Sequence, residues 1–222
     1  VAAGVIKAGG KVVSLIEANK SRRWLSSTIV VLENLSKIKE AFYYIKTISE
    51  GKVRAQFGQA VIAAHAGGNG ELASVDIAKI DRNFKVKKIK NVKCDVAAIG
   101  WGFTADTSLA GSLGCKQVVA KDESVVVWVD SEQQTNIPGI FAAGEITGIG
   151  GSDLSMAEGV IAGIAAAKFV GCNVDILRAH RKRRAKRQRF ANALIKAYPI
   201  KAGWKLWPND QTTICRCEEV SL

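Results

Sequence analysis

The chain has 222 residues, of which 48% are hydrophobic and 23% charged, with 21 glycines and 3 prolines. This composition is typical of one or two globular domains, and it excludes disordered, collagen-like and disulfide-scaffold classes. The net charge of +12 suggests a nucleic-acid binder, but eight lysines and arginines fall in one run, so the rest of the chain sums to only +4. The five cysteines have no framework spacing, which favours the cytoplasm.

The first elements have the pattern of the second half of a βαβ unit. Val1 to Ala8 predicts the end of a helix, which Gly9 and Gly10 stop. Lys11 to Ile16 predicts a buried strand that closes with Glu17. An acid there can hydrogen-bond a ribose in dinucleotide folds, so Glu17 is a candidate cofactor contact. A plain solvent-exposed strand end stays the alternative, since no G-x-G-x-x-G motif precedes it.

The middle of the chain predicts a long helix and then short strands. Ser21 to Ile48 is helical in pattern, with Phe42 to Tyr44 expected in the core. Strands are expected over residues 52–57, 60–65 and 71–80, and a Gly-Gly-Asn-Gly turn predicts that the last two form a hairpin. His65 and His180 are expected to be structural or exposed.

The second half predicts an alternation of strands and one helix. Buried or apolar strands are expected at Cys94 to Gly100, Ser124 to Val129 and Gly139 to Ala143. A helix is then expected from Asp153 to Val170. The stretch around this helix contains charged residues and should not span a membrane.

The run from Arg178 to Arg189 predicts one strongly basic helix. Apolar residues recur along one side of it, namely Leu177, Phe190, Leu194 and Tyr198. Crowded like charges weaken an isolated helix, so we expect it to lie on an apolar surface or to meet an acidic partner. Three interpretations stay open: a solvated helix over a core, docking to a partner subunit or to the inner face of a membrane, and nucleic-acid binding. No aromatic residues alternate with the charges, which argues against single-strand binding.

The most informative segment is a strand that ends in a Gly-acid pair, followed by a glycine-rich turn and a helix. Gly144 would let a ligand approach the backbone, and Glu145 is placed to accept hydrogen bonds from hydroxyls. The helix start behind Gly150 and Gly151 would offer N–H groups to an anionic or carbonyl oxygen. Ser152 is also a good N-cap, so a purely structural role of this turn stays open.

The string TNIPGIFAAGEITGIGGSDLSMAEGVIAG resembles the second flavin-binding motif of FAD-dependent pyridine-nucleotide-type oxidoreductases. The resemblance is closest to the alpha-type subunits of opine oxidase, hydrogen cyanide synthase and related amino-acid dehydrogenases. It extends over almost the whole chain, through the strings VAAGVIKAGGKVVSLIEA, CDVAAIGWGFTADTSLAGSLGC and CRCEEV.

The resemblance implies an FAD site built from glycines and one acid. Gly144 and Glu145 would bind the ribityl region of FAD. Gly150 to Ser152 would lie near the flavin end or the pyrophosphate, and Gly100 and Gly102 would pass close to the dinucleotide. No catalytic acid or base is assigned, because nothing in the sequence singles one out and the cofactor performs the electron chemistry.

Cys215 and Cys217 alone cannot complete a four-ligand metal site. In the resembled family this string opens a small [2Fe–2S] domain whose second cysteine pair comes later. The chain ends at Leu222 and starts with Val1, without the first glycine motif, so we expect half a cluster site, half an FAD site and a longer parent chain. The remaining cysteines are expected to be small buried apolar residues, namely Cys94, Cys115 and Cys172.

The resemblance implies an α/β flavoprotein with two dinucleotide-binding domains. Residues 1–88 would be the later part of an inserted NAD-type domain, 89–171 the C-terminal half of the FAD domain, 172–205 a basic helical arm and 206–222 the start of a [2Fe–2S] segment.

The implied function is FAD-dependent oxidation of an amine, amino acid or opine. Electrons would pass from the flavin to the iron–sulfur centre and an external acceptor, and the implied partner is a second flavoprotein of the same complex. NAD(P) binding is left open. The alternatives are a non-catalytic remnant or electron-relay module, and a nucleic-acid-binding protein.

Overall fold

The computed structural model describes residues 1–20, 22–24, 28–215, 217–218 and 220–222. The helices are α1 (Ala2–Lys7), α2 (Thr28–Leu32), α3 (Leu35–Glu50), α4 (Ser108–Ser112), α5 (Ser152–Phe169) and α6 (Arg178–Ala197). The strands are β1 (Leu15–Glu17), β2 (Ala55–Phe57), β3 (Gln59–Ala66), β4 (Leu72–Ile80), β5 (Val86–Lys93), β6 (Gln117–Val119), β7 (Val125–Val127), β8 (Thr213–Cys215) and β9 (Val220–Ser221). Short 3-10 helices span Glu145–Thr147 and Ala202–Leu206.

The chain divides into two compact units. The first unit comprises the described parts of residues 1–26, 34–101 and 198–222, and the second comprises those of 27–33 and 102–197. No helix among the described residues is both long and apolar enough to cross a membrane.

The first unit contains a parallel pair, β1 with β2, and an antiparallel sheet in the order β3-β4-β5. The predicted hairpin is confirmed: Gly67 N–H donates to the Glu71 carbonyl over 2.7 Å, and Gly70 has a φ of 80°. A small core forms where Ala60, Ala78, Ile80 and Phe84 are buried, with Trp207 packed against them. The sequence pattern missed β5, because its lysines interrupt the apolar alternation and the strand is almost entirely exposed.

Two predictions for the first unit are wrong in detail. The buried strand expected over residues 11–16 pairs only from Leu15 to Glu17 and is partly exposed, because β2 offers just three partner residues. The expected helix over residues 21–48 is divided into α2 and α3. Phe42 to Tyr44 are exposed rather than core, since α1, on which α3 packs, has only six residues.

The second unit is built on the pairing of α5 with α6 and on the β6–β7 hairpin. The buried residues of α6 are Ala191, Ala193 and Ala197, while Leu177 at its start is 61% exposed. The predicted apolar side is confirmed only in part: Phe190 and Leu194 are partly buried, whereas Tyr198 is exposed. The fully buried residues of α6 are alanines, whose small side chains let two helices approach closely. A second cluster joins Cys115 and Val127 to the loop around Ile137 and Ile140.

Two expected strands are not formed. Residues 94–100 are irregular, with Val96 76% and Ile99 58% exposed. A strand needs a neighbour for its backbone groups, and no strand of the described chain pairs with this segment. Residues 139–143 make a single bridge, between Phe141 and Gln134. Of the cysteines expected to be buried, Cys115 is, whereas Cys94 is partly exposed and Cys172 exposed.

Candidate functional site

The predicted Gly-acid turn lies between the loop at Phe141 and helix α5. Gly144 has φ 87° and ψ −152°, a conformation that is essentially restricted to glycine. A Cβ atom at this position would also lie 3.3 Å from the Cβ of Ser155. Glycine is therefore required at position 144 by the backbone and by the adjacent helix.

Glu145 begins the 3-10 turn and is exposed. Its Oε1 accepts a hydrogen bond from the Gly151 N–H over 3.0 Å, which ties the acid to the start of α5. The N-cap of α5 is Gly151, with a φ of 80°, and not Ser152, which is the first helical residue. An ionised carboxylate has about four acceptor sites, so Glu145 can accept further hydrogen bonds.

The glycines of the turn differ in what surrounds them. A Cβ at Gly150 would lie 2.3 Å from Cδ2 of Leu154, so this glycine permits close packing of the protein on itself. Cβ atoms at Gly148 and Gly151 would meet nothing within 4 Å. A ligand can therefore approach the backbone at Gly148 and Gly151.

A buried acid that the sequence pattern does not single out underlies the turn. Glu158, in the second turn of α5, is only 2% exposed. Its Oε2 accepts hydrogen bonds from the Gly144 N–H over 3.0 Å and from the Thr147 Oγ1 over 3.2 Å. The single hydroxyl proton of Thr147 is shared with the Gly144 carbonyl, whose oxygen lies 2.9 Å from Oγ1. One carboxylate oxygen thus holds both ends of the turn that contains Glu145.

The charge of Glu158 is matched by Arg184 of the basic helix. Both Nε and Nη2 of Arg184 lie 3.2 Å from Glu158 Oε1. Gln133 is completely buried. With its side-chain amide oriented to satisfy both neighbours, the amide oxygen accepts from Arg184 Nε over 3.1 Å and the amide nitrogen donates to the Ala142 carbonyl over 3.0 Å. The arginine is therefore fixed between the acid and the loop that leads into the turn.

A cleft of about 330 Å³ opens beside the turn within the second unit. Its lining combines Thr147 and Gly148 of the turn, Glu158 of α5, and two polar residues of α6, Gln188 and Asn192. The β6–β7 connection closes it through Lys121 and Asp122. The cleft thus brings the Gly-acid turn and the basic helix to one concave surface.

Most of the other charged contacts of α6 are ion pairs within the second unit. Arg181 lies 2.8 Å from Glu132, Arg187 lies 3.7 Å from Asp153 and Arg189 lies 2.8 Å from Glu33, measured between nitrogen and oxygen. The helix packs on α5, which confirms that it covers a core. Four of the eight cations that the sequence presents as one block therefore make ion pairs within the described part of the chain.

The remaining predicted cofactor contacts lie away from this turn in the chain. Glu17 ends β1 in the first unit, and its Oε1 accepts the Asn19 N–H over 2.7 Å. Gly100 and Gly102 lie in the irregular segment, and a Cβ at either would meet nothing within 4 Å. No hydrogen bond between described residues joins either glycine to the Gly144 turn.

The two C-terminal cysteines are both free. Cys215 ends β8 and is partly buried, and Cys217 is exposed. Within the described part of the chain, no group of three or more potential ligands stands ready to hold a metal ion.

The signal for the missed acid was present in the sequence. Glu158 is an isolated acid in the run MAEGVIAG, on a helix that is otherwise almost uniformly apolar. Such an acid is either exposed or paired, and its spacing from the Gly-Glu pair could not decide between these outcomes. Arg184 is one of eight cations in the same run, and the sequence does not distinguish it from the other seven.

Comparison with known proteins gives matches over most of the chain. The family described as pyridine nucleotide-disulphide oxidoreductase matches residues 9–168. Hydrogen cyanide synthase subunit HcnB of Pseudomonas aeruginosa is 25% identical, over 96% of this chain and 47% of that protein. One of the opine oxidase subunits of Rhizobium meliloti is 26% identical, over 64% of this chain and 32% of that protein. Among solved structures, a T. acidophilum thioredoxin reductase matches with a TM-score of 0.43 and 17% identity, over 83% of this chain and 44% of that one.

The chain therefore belongs to the pyridine nucleotide-disulphide oxidoreductase family, a family of flavin-dependent oxidoreductases. The predicted family and the predicted α/β class are confirmed. The chain spans about half the length of the hydrogen cyanide synthase subunits that it matches.

Proposed function

We propose that this member of the pyridine nucleotide-disulphide oxidoreductase family contributes the ribityl-facing part of an FAD site to an enzyme that oxidises a small amine, amino acid or opine. The observation that carries the proposal is the turn in which Gly144 adopts a glycine-only conformation and presents an exposed acid, Glu145, at the start of α5. The two relatives, which are subunits of hydrogen cyanide synthase and of opine oxidase, support the substrate class.

The residues of the turn fit the chemical groups of FAD. The Glu145 carboxylate can accept hydrogen bonds from the ribityl hydroxyls. The backbone at Gly148 and Gly151 is open to a ligand. The first N–H groups of α5 lack intrahelical acceptors and favour an anionic or carbonyl oxygen, so Ser152 would lie near the flavin end or the pyrophosphate.

In this proposal the chain binds and orients, and bound FAD supplies the electron acceptance for the oxidation. Gly144 permits the backbone conformation that presents Glu145, and the Glu145 carboxylate would hold the ribityl chain. The positive end of α5 would stabilise an anionic or carbonyl oxygen of bound FAD. No residue of the described chain is assigned as a general acid or base.

We extend the proposal to the remaining predicted contacts and domains. Glu17 would contact a ribose, and Gly100 and Gly102 would pass close to the dinucleotide, with NAD(P) use left open. The domain limits at residues 88, 171 and 205 are retained as part of the proposal. Cys215 and Cys217 would be the first two ligands of a [2Fe–2S] centre that receives electrons from the flavin. The free thiols and the exposure of Cys217 are compatible with this role.

We also propose that the partner is a second flavoprotein of the same complex, because both relatives are subunits by name. Among the described residues, three exposed cations of α6 make no ion pair, namely Arg178, Lys182 and Arg183. These cations would form a docking surface whose positive charge suits an acidic partner. Replacing these three by glutamine should weaken co-purification of the partner. Unchanged association would remove the docking role from α6.

The FAD proposal is tested by titrating the native gene product with FAD and following flavin fluorescence. We expect Glu145→Ala to raise the Kd for FAD by about 10- to 100-fold, because hydrogen bonds to a charged group contribute about 1.5–3 kcal/mol. Glu132→Gln, which removes an exposed acid of the same unit, is the matched control and should leave the Kd unchanged. A wild-type protein that leaves the flavin fluorescence unchanged over the whole titration would contradict the proposal.

The cluster proposal needs a separate measurement. The native gene product should contain iron and acid-labile sulfide, and Cys217→Ser should remove most of both. Cys172→Ser, which replaces another exposed cysteine, should leave the iron content unchanged. Iron content that is indifferent to Cys217 would exclude it as a ligand.

A further inference from the structure

We infer that Glu158 and Arg184 are positioning residues for the flavin: a buried carboxylate–guanidinium pair sets the geometry of the Gly144–Glu145 turn and makes the basic helix part of the FAD site. The inference rests on the proposed FAD function of that turn. It assigns to one arginine of the charged run a role that the other seven cations of the run do not share.

Glu158 fixes the backbone on both sides of Glu145. Its Oε2 receives hydrogen bonds from the two residues that flank Glu145 in the turn, the backbone N–H of Gly144 and the hydroxyl of Thr147. The direction of the Glu145 side chain therefore follows from where Glu158 holds the backbone. Among the described residues, the Glu145 carboxylate itself accepts a hydrogen bond from the Gly151 N–H, 3.0 Å away.

The charge of Glu158 requires a partner at this depth. A carboxylate that is 2% exposed costs several kcal/mol unless it is paired and hydrogen-bonded. Arg184 is the cation that meets Glu158, and its side chain is itself only 29% exposed. Gln133 fixes the Arg184 guanidinium from the other side. The acceptor that shapes the turn thus depends on a residue 40 positions further along the chain than Gly144.

The burial of its acid separates this pair from the other ion pairs of α6: the Glu158 side chain is 3% exposed, whereas the acids of the other three pairs are 35–38% exposed. Arg181 and Glu132 are 43% and 38% exposed, so their contact is a surface ion pair with little energetic value. Removing Arg181 changes the charge of the helix by the same amount as removing Arg184. The two arginines thus provide a matched comparison between overall charge and specific positioning.

The test uses the native gene product and three variants, Glu158→Gln, Thr147→Val and Arg181→Gln. Glutamine keeps the shape of Glu158, but it must turn an N–H₂ group toward either Arg184 or the Gly144 N–H. We expect Glu158→Gln to raise the Kd for FAD about tenfold and to change the visible circular dichroism of the flavin even at saturating FAD. Thr147→Val should raise the Kd for FAD by about threefold or less and should change the flavin dichroism in the same direction as Glu158→Gln. Arg181→Gln should change neither the Kd nor the dichroism.

The circular dichroism separates positioning from general stability, since a merely structural role would lower the melting temperature and leave the bound flavin unchanged. If wild type binds FAD and Glu158→Gln matches it in both Kd and dichroism, the inference is overturned while the FAD proposal stands. If wild type binds no FAD, the proposed function fails first, and the inference falls with it. Should Glu158→Gln not fold, Thr147→Val decides, and a Kd and dichroism equal to wild type would overturn the inference.

Discussion

Two stretches of this chain carry equally distinctive sequence strings, but only one of them is packed. From Gln133 to Ala165 the chain buries apolar and polar groups together, including Gln133, Leu154 and Ile161, each at most 3% exposed. From Cys94 to Phe103 most apolar residues are exposed, with Phe103 80% exposed, and no strand forms. Trp101 differs from the others, since its ring packs against Phe84 and Trp207. The difference lies in where each stretch finds its partners.

The packed stretch finds its partners within the second unit, through helix hydrogen bonds, the Glu158 anchor and the α5–α6 contact. A strand instead depends on a neighbouring strand for half of its backbone groups, and the described chain offers none to residues 94–100. A distinctive sequence string therefore does not by itself predict how its segment packs.

The largest effect is expected from removing the partner on which the packed stretch depends. Arg184→Met leaves the buried Glu158 charge uncompensated, so the free energy of unfolding should fall by about 3–5 kcal/mol. Arg181→Met should cost at most about 1 kcal/mol. Chemical denaturation of both variants measures the difference. The double variant Arg184→Met with Glu158→Leu should recover only part of the loss, because leucine removes the buried charge but leaves the Gly144 N–H without its acceptor. Equal losses for the two arginines would mean that the pair is not the basis of the packing.

The contrast between the stretches should also appear without any substitution. Backbone amides of Ile161 and Ala165 should exchange with solvent at least about a hundredfold more slowly than those of Val96 and Ile99, because local opening requires less free energy where few groups are buried. Hydrogen–deuterium exchange with peptide-level mass spectrometry measures this ratio. Comparable protection in both stretches would show that residues 94–100 have a partner.

A smaller effect is expected inside the turn. Gly144→Ala places a Cβ in a glycine-only conformation and close to Ser155, which should cost about 1–3 kcal/mol. Gly159→Ala is the matched control within α5, where a Cβ meets nothing within 4 Å and should stabilise the helix by about 0.5–1 kcal/mol. Thermal unfolding distinguishes the two, and a neutral Gly144→Ala would show that the turn tolerates other backbone angles.

The smallest effect is expected in a turn that is ordered by its own side chain. Backbone N–H groups of Asn83 and Lys85 donate to Asp81 over 2.8 and 3.0 Å and hold the pKa of its carboxyl below 3.8. This contribution to stability is present above the unfolded-state pKa and is lost as pH falls through the lower folded-state value. The small stability difference between wild type and Asp81→Asn should therefore shrink below about pH 4. A difference that stays constant with pH would contradict this assignment.

Local features of the site could be predicted from the sequence. The Gly-Glu turn, the helix behind it and the glycine hairpin each depend on residues within a few positions, and each is present. The N-cap lies one residue before the predicted position, because Gly151 and Ser152 are both acceptable cap residues and only the φ of Gly151 decides.

Features that depend on distant partners could not be predicted. The Glu158–Arg184 pair joins residues 26 positions apart, and eight cations of one run were equivalent candidates. The exposure of Phe42 and the irregular backbone of residues 94–100 depend on which elements pack against them. The hydrophobic periodicity of a segment does not identify its tertiary neighbours. The buried alanines of α6 were missed because alanines contribute little to an apolar pattern.

The hydrogen bond from Gly144 to Glu158 also has a consequence during synthesis. A ribosome that adds about 5–20 residues per second makes Arg184 roughly 2–8 s after Gly144. Until then Glu158 has no guanidinium, and burying its charge is unfavourable. The nascent chain therefore does not form the native turn stably before the basic helix has been synthesised. Cofactor binding would then follow translation of α6 rather than precede it.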